Sequence, residues 1–141
     1  MRFRKRALGA AVALGAAGAI SAAGALAQGL DGSRNMVCAV VSVVACGDAH
    51  VCYHGLAKQF GLPELMVVDV KAKLVRGTGE SGLKQDSPIK HSESTGSQLV
   101  LQGVENGHGW SMAIDRASGR MATVLSGELV SYMIFGTCTA K

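Results

Sequence analysis

Short apolar runs separated by turn residues recur every eight to twelve positions along the chain, and helical periodicity is nearly absent. Strands of small β-proteins have this spacing because each one crosses a sheet once and then reverses. The alternation is clearest in residues 110–115, where Trp110, Met112 and Ile114 fall on one face. The pattern predicts an all-β fold, a small antiparallel barrel or barrel-like sandwich of about seven or eight strands in a meander.

The first predicted strand covers residues 36–46 and is apolar at nearly every position, which predicts that both of its faces are covered. A helical turn is expected at residues 56–60, where Gly61 and Pro63 would end it. Residues 65–77 predict a tight hairpin that reverses at residues 70–73.

The segment after that hairpin, residues 77–87, is rich in Gly and polar residues and is expected to be the most flexible part of the chain. Residues 88–94 predict a polar edge strand. Asn106-Gly107 is the strongest hairpin signal, because both residues tolerate positive φ. The later turns are each marked by a glycine, at Gly96, Gly107, Gly119 and Gly127.

The first 27 residues have the layout of a secretory signal peptide. Four basic residues precede a long Ala/Gly/Leu stretch, and Ala25-Leu26-Ala27 forms a small-x-small cleavage site. The stretch holds few Leu, Ile or Val, so it would make a weak transmembrane anchor. We therefore predict a signal peptide at residues 1–27, a flexible N-terminal tail at residues 28–35, and one barrel-like domain at residues 36–141. The predicted location is periplasmic or secreted.

Cleavage would also change the charge of the protein. Four of the fourteen Lys and Arg residues lie in the leader and none of the ten Asp and Glu do, so the remainder carries ten of each. The sequence pI of about 9.0 therefore reflects the leader and does not indicate a nucleic-acid partner. We predict a monomer that is not inserted stably in a membrane after cleavage.

All four cysteines lie after the leader, and an oxidising compartment favours disulfides. Four cysteines allow three pairings. A strand from Cys38 to Cys46 would hold its ends roughly 26 Å apart, which excludes a bond between them because a disulfide needs Cα atoms within about 7 Å. Of the two pairings left, we favour Cys46 with Cys52, across a short loop, and Cys38 with Cys138, which joins the first strand to the last.

Two histidines, His50 within the Cys46–Cys52 segment and His54 just after it, are candidate Zn or Cu ligands. Once the cysteines pair, two imidazoles alone would make a weak site unless a third ligand joins them. A structural disulfide with surface histidines is the favoured interpretation, and a weak metal site at His50 and His54 is the alternative.

No motif indicates catalysis. Ser111, His108 and Asp115 contain the chemistry of a triad, yet no strand-to-helix nucleophile elbow accompanies them. We predict no catalytic residues, no enzymatic activity and no cofactor. The exposed hairpin tip at Asn106, with His108 and the neighbouring Trp110, is the candidate partner-binding set, because rigidly held turns often carry binding residues. Trp110 is alternatively a residue that lines a pocket within the barrel.

The chain also resembles a group of short exported proteobacterial proteins. The resemblance rests on Cys46 and Cys52, on Gly61-Leu62-Pro63, on a GWS-x-AID hairpin at residues 109–115 with Ser118-Gly119, and on FG-x-C-T at residues 135–139. It covers most of residues 28–141 and implies export and a β fold, with no activity attached.

The expected architecture is similar to that of the periplasmic and membrane-bound lysozyme inhibitors of the C-type class, although their SGARY-type loop is absent. The sequence therefore predicts an exported, disulfide-stabilised, non-catalytic binding module for a small ligand or an envelope protein. A lysozyme-inhibitor-like protein is an alternative. An eight-stranded barrel is either filled by its own side chains or holds one small ligand, and the sequence leaves both open.

Overall fold

The computed structural model describes residues 29–47, 51–78 and 86–141, so the predicted signal peptide at residues 1–27 lies outside the described residues. The described residues form nine antiparallel strands and one turn of 3-10 helix at Ala57–Phe60. None of their helices has the length and hydropathy to cross a bilayer. The strands are β1 (Met36–Gly47), β2 (Cys52–Gly55), β3 (Leu65–Asp69), β4 (Leu74–Gly77), β5 (Asp86–Thr95), β6 (Gln98–Glu105), β7 (His108–Asp115), β8 (Arg120–Ser126) and β9 (Val130–Ala140).

Eight of these strands close into a barrel. From β3 onward each strand pairs with the next, β3 also pairs with β1, and β9 returns to pair with β1. The predicted all-β meander is confirmed. The extra strand β2 was not predicted; it pairs antiparallel with the end of β1, with Cys52 opposite Cys46.

Strand β1 pairs with three other strands because it is long and contains a β-bulge. Its first residues, Met36–Ala39, pair with β3, and its last ones pair with β2, while β9 runs along its other edge for nearly the whole length. The register shifts between Val40 and Ser42, as expected for a β-bulge. The prediction that both faces of this strand are covered is wrong, because the bulge leaves Val41 with 62% of its surface exposed.

Both predicted disulfides are present. Cys38 and Cys138 lie directly opposite each other on β1 and β9, with Cα atoms 4.0 Å apart and 100 positions between them in the sequence. Cys46 and Cys52 lie opposite each other on β1 and β2, with Cα atoms 4.2 Å apart. One bond therefore joins the first and last strands of the barrel, and the other fixes the extra strand.

The predicted turns form where the sequence signals lie. Asn106 and Gly107 adopt φ values of 48° and 79°, and a type I′ turn in a two-residue hairpin requires positive φ at both of these positions. Gly119 takes φ 73° in the turn after β7, where Asp115 Oδ1 accepts hydrogen bonds from the Ser118 amide at 2.8 Å and the Ser118 hydroxyl at 2.7 Å.

The two ends of the barrel differ. At the plugged end, where β1 begins, residues 29–35 of the predicted N-terminal tail form turns, and Leu30 is 1% exposed and packs in the core. The Lys141 amide donates a hydrogen bond to the Asn35 carbonyl there, at 2.7 Å. The open end, where β1 finishes, carries the β6–β7 hairpin and the turn after Ser126.

Strand β5 behaves as the predicted polar edge over part of its length. Asp86–Pro88 pairs with β4, whereas the rest of the strand pairs with β6. Residues 90–98 are all exposed. Charged and hydroxyl side chains on such an extended hairpin discourage further strand pairing.

Removing the two disulfides should have unequal effects on stability. In the chain-entropy model, the Cys38→Ala/Cys138→Ala variant loses about 4 to 5 kcal/mol and the Cys46→Ala/Cys52→Ala variant about 2 kcal/mol, because the first bond closes a much longer loop. Urea unfolding of both variants beside the wild type measures the two losses. Equal losses, or a larger one for the second pair, would contradict the assignment of the long bond as the main cross-link.

The turn after β7 should make stability depend on pH. Hydrogen bonds from the Ser118 hydroxyl and amide hold the pKa of Asp115 below its ordinary range. A depressed pKa in the folded state contributes stability above the unfolded pKa of about 3.9, and this is lost as pH falls through the folded value. Asp115→Asn keeps an acceptor oxygen without the charge, so its melting temperature should lie below that of the wild type near neutral pH.

That difference should shrink as pH falls from about 5 toward about 2, where the wild-type carboxylate also becomes neutral. Asp86→Asn, on the exposed start of β5, controls for the change in net charge. A difference in melting temperature that persists unchanged at low pH would show that the charge of Asp115 contributes nothing.

Candidate functional site

The interior of the barrel is not completely filled. A cavity of about 60 Å³ lies between the walls toward the open end and communicates with solvent there. Most of its lining consists of Val, Leu, Ile, Met and Pro side chains, contributed by strands on all sides and by Leu62 and Pro63 after the 3-10 turn. A water molecule needs about 10–15 Å³ of such space, so the cavity has the volume of roughly four to six water molecules.

Three uncharged polar side chains also line this cavity, and their polar atoms have no hydrogen-bond partner among the described residues. They are the Ser87 hydroxyl, the Trp110 indole N–H and the Thr123 hydroxyl. The three residues are 7%, 7% and 5% exposed. An unsatisfied buried donor or acceptor costs about 1–3 kcal/mol, so these three groups require a partner inside the cavity, either water or a ligand.

The strand register explains why these groups lie together. Ser87 on β5, Trp110 on β7 and Thr123 on β8 all fall on the inward positions of their strands, as their buried neighbours Ile89, Met112 and Met121 do. Met112 lies opposite Thr123 on adjacent strands. The three polar groups therefore share one side of the barrel wall.

The strand between β5 and β7 makes room for the indole ring. Gly103 on β6 lies directly opposite Trp110, and a β-carbon at Gly103 would overlap the six-membered ring of Trp110 and the Pro88 carbonyl oxygen. The missing side chain lets the indole lie across the inner wall. Gly103 thus positions Trp110 at the cavity.

Charge is sparse at this site. Glu105, the last residue of β6, is the one ionisable side chain among the described residues that line the cavity. The three unpartnered groups can each donate a hydrogen bond, and the indole N–H can do nothing else. An apolar cavity with a few convergent donors suits an uncharged ligand that carries an acceptor.

Aromatic side chains surround the rim at the open end. Phe60 of the 3-10 turn contacts Tyr132 of β9 edge to face, with ring centroids 6.3 Å apart. His108 lies 6.4 Å from the same Tyr132 ring, and its Nδ1 is 3.1 Å from the Asn106 carbonyl oxygen. This packing holds the hairpin tip against β9.

The structure separates the three residues predicted to contact a partner. Asn106 is exposed at the hairpin tip, whereas His108 is half-buried against Tyr132 and against Gly127, where a β-carbon would touch the imidazole. Trp110 is inside the barrel, in agreement with the alternative that it lines a pocket. Partner contact at Asn106 and His108 stays a prediction.

The candidate triad residues are spread along β7. Ser111 and Asp115 lie four positions apart on one strand, which corresponds to about 13 Å at about 3.3 Å per residue. His108 falls on the inward-facing set of positions, with Trp110, and Asp115 is bonded to Ser118. The fold does not bring these three side chains together.

The candidate metal ligands are only partly described. His54 is exposed on β2, opposite Val44, and His50 lies outside the described residues. Within the described part of the chain, no three His, Cys, Asp or Glu side chains form a group that could hold a metal ion. Metal binding by His50 and His54 stays a prediction.

Sequence reasoning missed Ser87 and Thr123. Thr123 had a detectable signal, since it alternates with Met121 and Leu125 and so occupies an inward position on its strand. Ser87 had none, because it ends a Gly-rich polar stretch that predicts a flexible loop. Comparisons of the chain with protein-family models, with curated proteins and with solved structures each found no match.

The unpartnered hydroxyl of Thr123 should reduce the stability of the ligand-free protein. Thr123→Val replaces it with a methyl group of the same shape, so the free energy of unfolding should rise by about 1 kcal/mol. Urea unfolding of protein refolded from denaturant, and therefore freed of bound molecules, measures the change. Thr137→Val, at an exposed position on β9, is the matched control. A loss of stability in Thr123→Val would show that the hydroxyl is satisfied in the free protein.

Proposed function

We propose that this protein is an exported, non-catalytic binding module that holds a small ligand in the open end of its barrel. The observation that carries the proposal is the convergence of three unpartnered buried polar groups on one apolar cavity. A protein selected for stability alone would fill this space with apolar atoms or pair these groups. A bound ligand would supply the missing partners.

The dimensions of the fold support a ligand in the interior. An eight-stranded barrel is just wide enough either to be filled by side chains or to hold one small molecule. Here the plugged end is filled by residues such as Leu30, Met36 and Ile114, all at most 1% exposed, whereas the cavity lies toward the other end. The packed half would give the site a rigid base.

Export is supported by the cross-links and by the N-terminal sequence. Two disulfides join all four cysteines, and disulfides persist in oxidising compartments. The basic, Ala-rich first 27 residues have the composition of a signal peptide. A periplasmic or secreted binding protein would encounter small molecules from outside the cell.

Thermal unfolding in the presence of ligands tests the binding function. The chain, expressed with residues 1–27, is expected in the periplasmic fraction, from which it is purified and refolded. A panel of small alcohols, ketones, esters, fatty acids and phenols is then screened. At a concentration 100 times its dissociation constant, a ligand would stabilise the protein by about 2.7 kcal/mol and raise the melting temperature by several degrees.

A variant with a filled cavity provides the control. Val75 on β4 lines the cavity, so Val75→Phe should abolish the ligand-induced rise in melting temperature. Val67→Phe places the same ring at a half-exposed position on β3 and should retain it. If Val75→Phe does not fold, Val75→Leu, a smaller increase in volume at the same cavity-lining position, replaces it. Stabilisation that survives filling the cavity, or no stabilisation by any compound, would overturn the proposal.

A further inference from the structure

We infer that the cavity takes an uncharged carbonyl compound, a short ketone, ester or lactone whose oxygen is surrounded by compact apolar groups. The inference rests on the proposed binding function and adds the chemical class of the ligand. It follows from three properties of the described cavity: the kind of hydrogen-bonding groups left unpartnered, the charge of the lining, and the volume.

The unpartnered hydrogen-bonding groups of the cavity require a ligand that carries a hydrogen-bond acceptor. The indole N–H of Trp110 can only donate, and the hydroxyls of Ser87 and Thr123 can each donate as well. A carbonyl oxygen has two lone pairs and no proton, so it can satisfy two of these donors at once, and the second oxygen of an ester or lactone can accept from the third. An ammonium group could be paired at the two hydroxyls or at Glu105, but it would leave the indole N–H without an acceptor and would lose its water in an otherwise apolar lining.

The charge of the lining argues against an anion. No Lys, Arg or His is among the described residues that line the cavity, and Glu105 places a carboxyl group there. Burying a carboxylate without a cationic partner is strongly unfavourable, and Glu105 adds repulsion. A free carboxylic acid would therefore have to bind in its neutral form, which is scarce near neutral pH.

The volume limits the buried part of the ligand. A cavity of about 60 Å³ with an apolar lining has room for roughly six non-hydrogen atoms, and its open mouth lets a larger molecule insert one end. Trp110 lies across one wall and gives a flat face for a small ring. Cyclopentanone and γ-butyrolactone have the required size, neutrality and acceptor oxygen.

A matched series of five-membered rings tests the inference. Cyclopentanone, cyclopentanol and cyclopentylamine have the same number of non-hydrogen atoms and differ in the polar group that would meet the donors. Cyclopentane lacks the polar group, and cyclopentanecarboxylate carries a larger, charged one. Trp110 is the single tryptophan of the chain, so its indole N–H gives one resonance in a nitrogen-15 NMR spectrum of the full-length mature protein. Titration of that resonance gives a dissociation constant and reports the hydrogen bond directly.

Cyclopentanone is expected to shift the indole resonance saturably and to bind roughly tenfold more tightly than cyclopentane, the value of about one net hydrogen bond. The carboxylate and the amine should bind at least as weakly as the hydrocarbon. Thr123→Val and Ser87→Ala should each weaken cyclopentanone binding several-fold without affecting cyclopentane. Thr137→Val should leave both unchanged.

The outcomes separate this inference from the proposed function. If cyclopentane, the amine or the carboxylate binds as tightly as cyclopentanone, or if cyclopentanol is preferred, the carbonyl class is wrong while binding in the cavity stands. If none of the five perturbs the indole resonance, the inference is also overturned, and the broader ligand panel with Val75→Phe decides the proposed function independently.

Discussion

The pairing of β1 with β9 is the interaction on which the rest of the structure depends. It runs from Met36 opposite Ala140 to Gly47 opposite Val130, and it converts an open sheet with two edges into a closed wall. Without it the inward side chains of β6, β7 and β8 would have no opposite wall to pack against. The closure brings together residues about 100 positions apart, and the Cys38–Cys138 bond reduces its entropic cost.

Closure also creates an interior that side chains must fill, and toward the open end they do not fill it completely. In a barrel of eight strands, a few large side chains decide how much of the interior is filled. Trp110 occupies its part of the interior only because Gly103 has no side chain to overlap the indole ring. The polar atoms of Ser87, Trp110 and Thr123 are buried there with no hydrogen-bond partner in the described part of the chain. These polar groups are therefore concentrated in the half of the barrel that opens to solvent.

Features set by local chemistry were predictable from the sequence. The turn at Asn106-Gly107 and the hairpin reversing at residues 70–73 follow from backbone preferences, and strand reach excludes a Cys38–Cys46 bond, which left the two observed disulfides as the favoured pairing of two. Features set by tertiary contacts were not. Strand β2 pairs with an available edge of β1, Leu30 is buried because it covers one end of the barrel, and Ser87 becomes part of the cavity only when β5 pairs with β4.

The two disulfides differ in their exposure to reductants. Cys38 and Cys138 are 0% and 2% exposed, whereas Cys52 is exposed and Cys46 is half-buried. Thiol–disulfide exchange requires an attacking thiolate to reach a sulfur atom, so the bond beside the open end reacts first. A mild reductant would therefore release β2 from the rim while the wall of the barrel remains covalently closed. Reduction can therefore change the rim at the open end without breaking the covalent closure of the barrel wall.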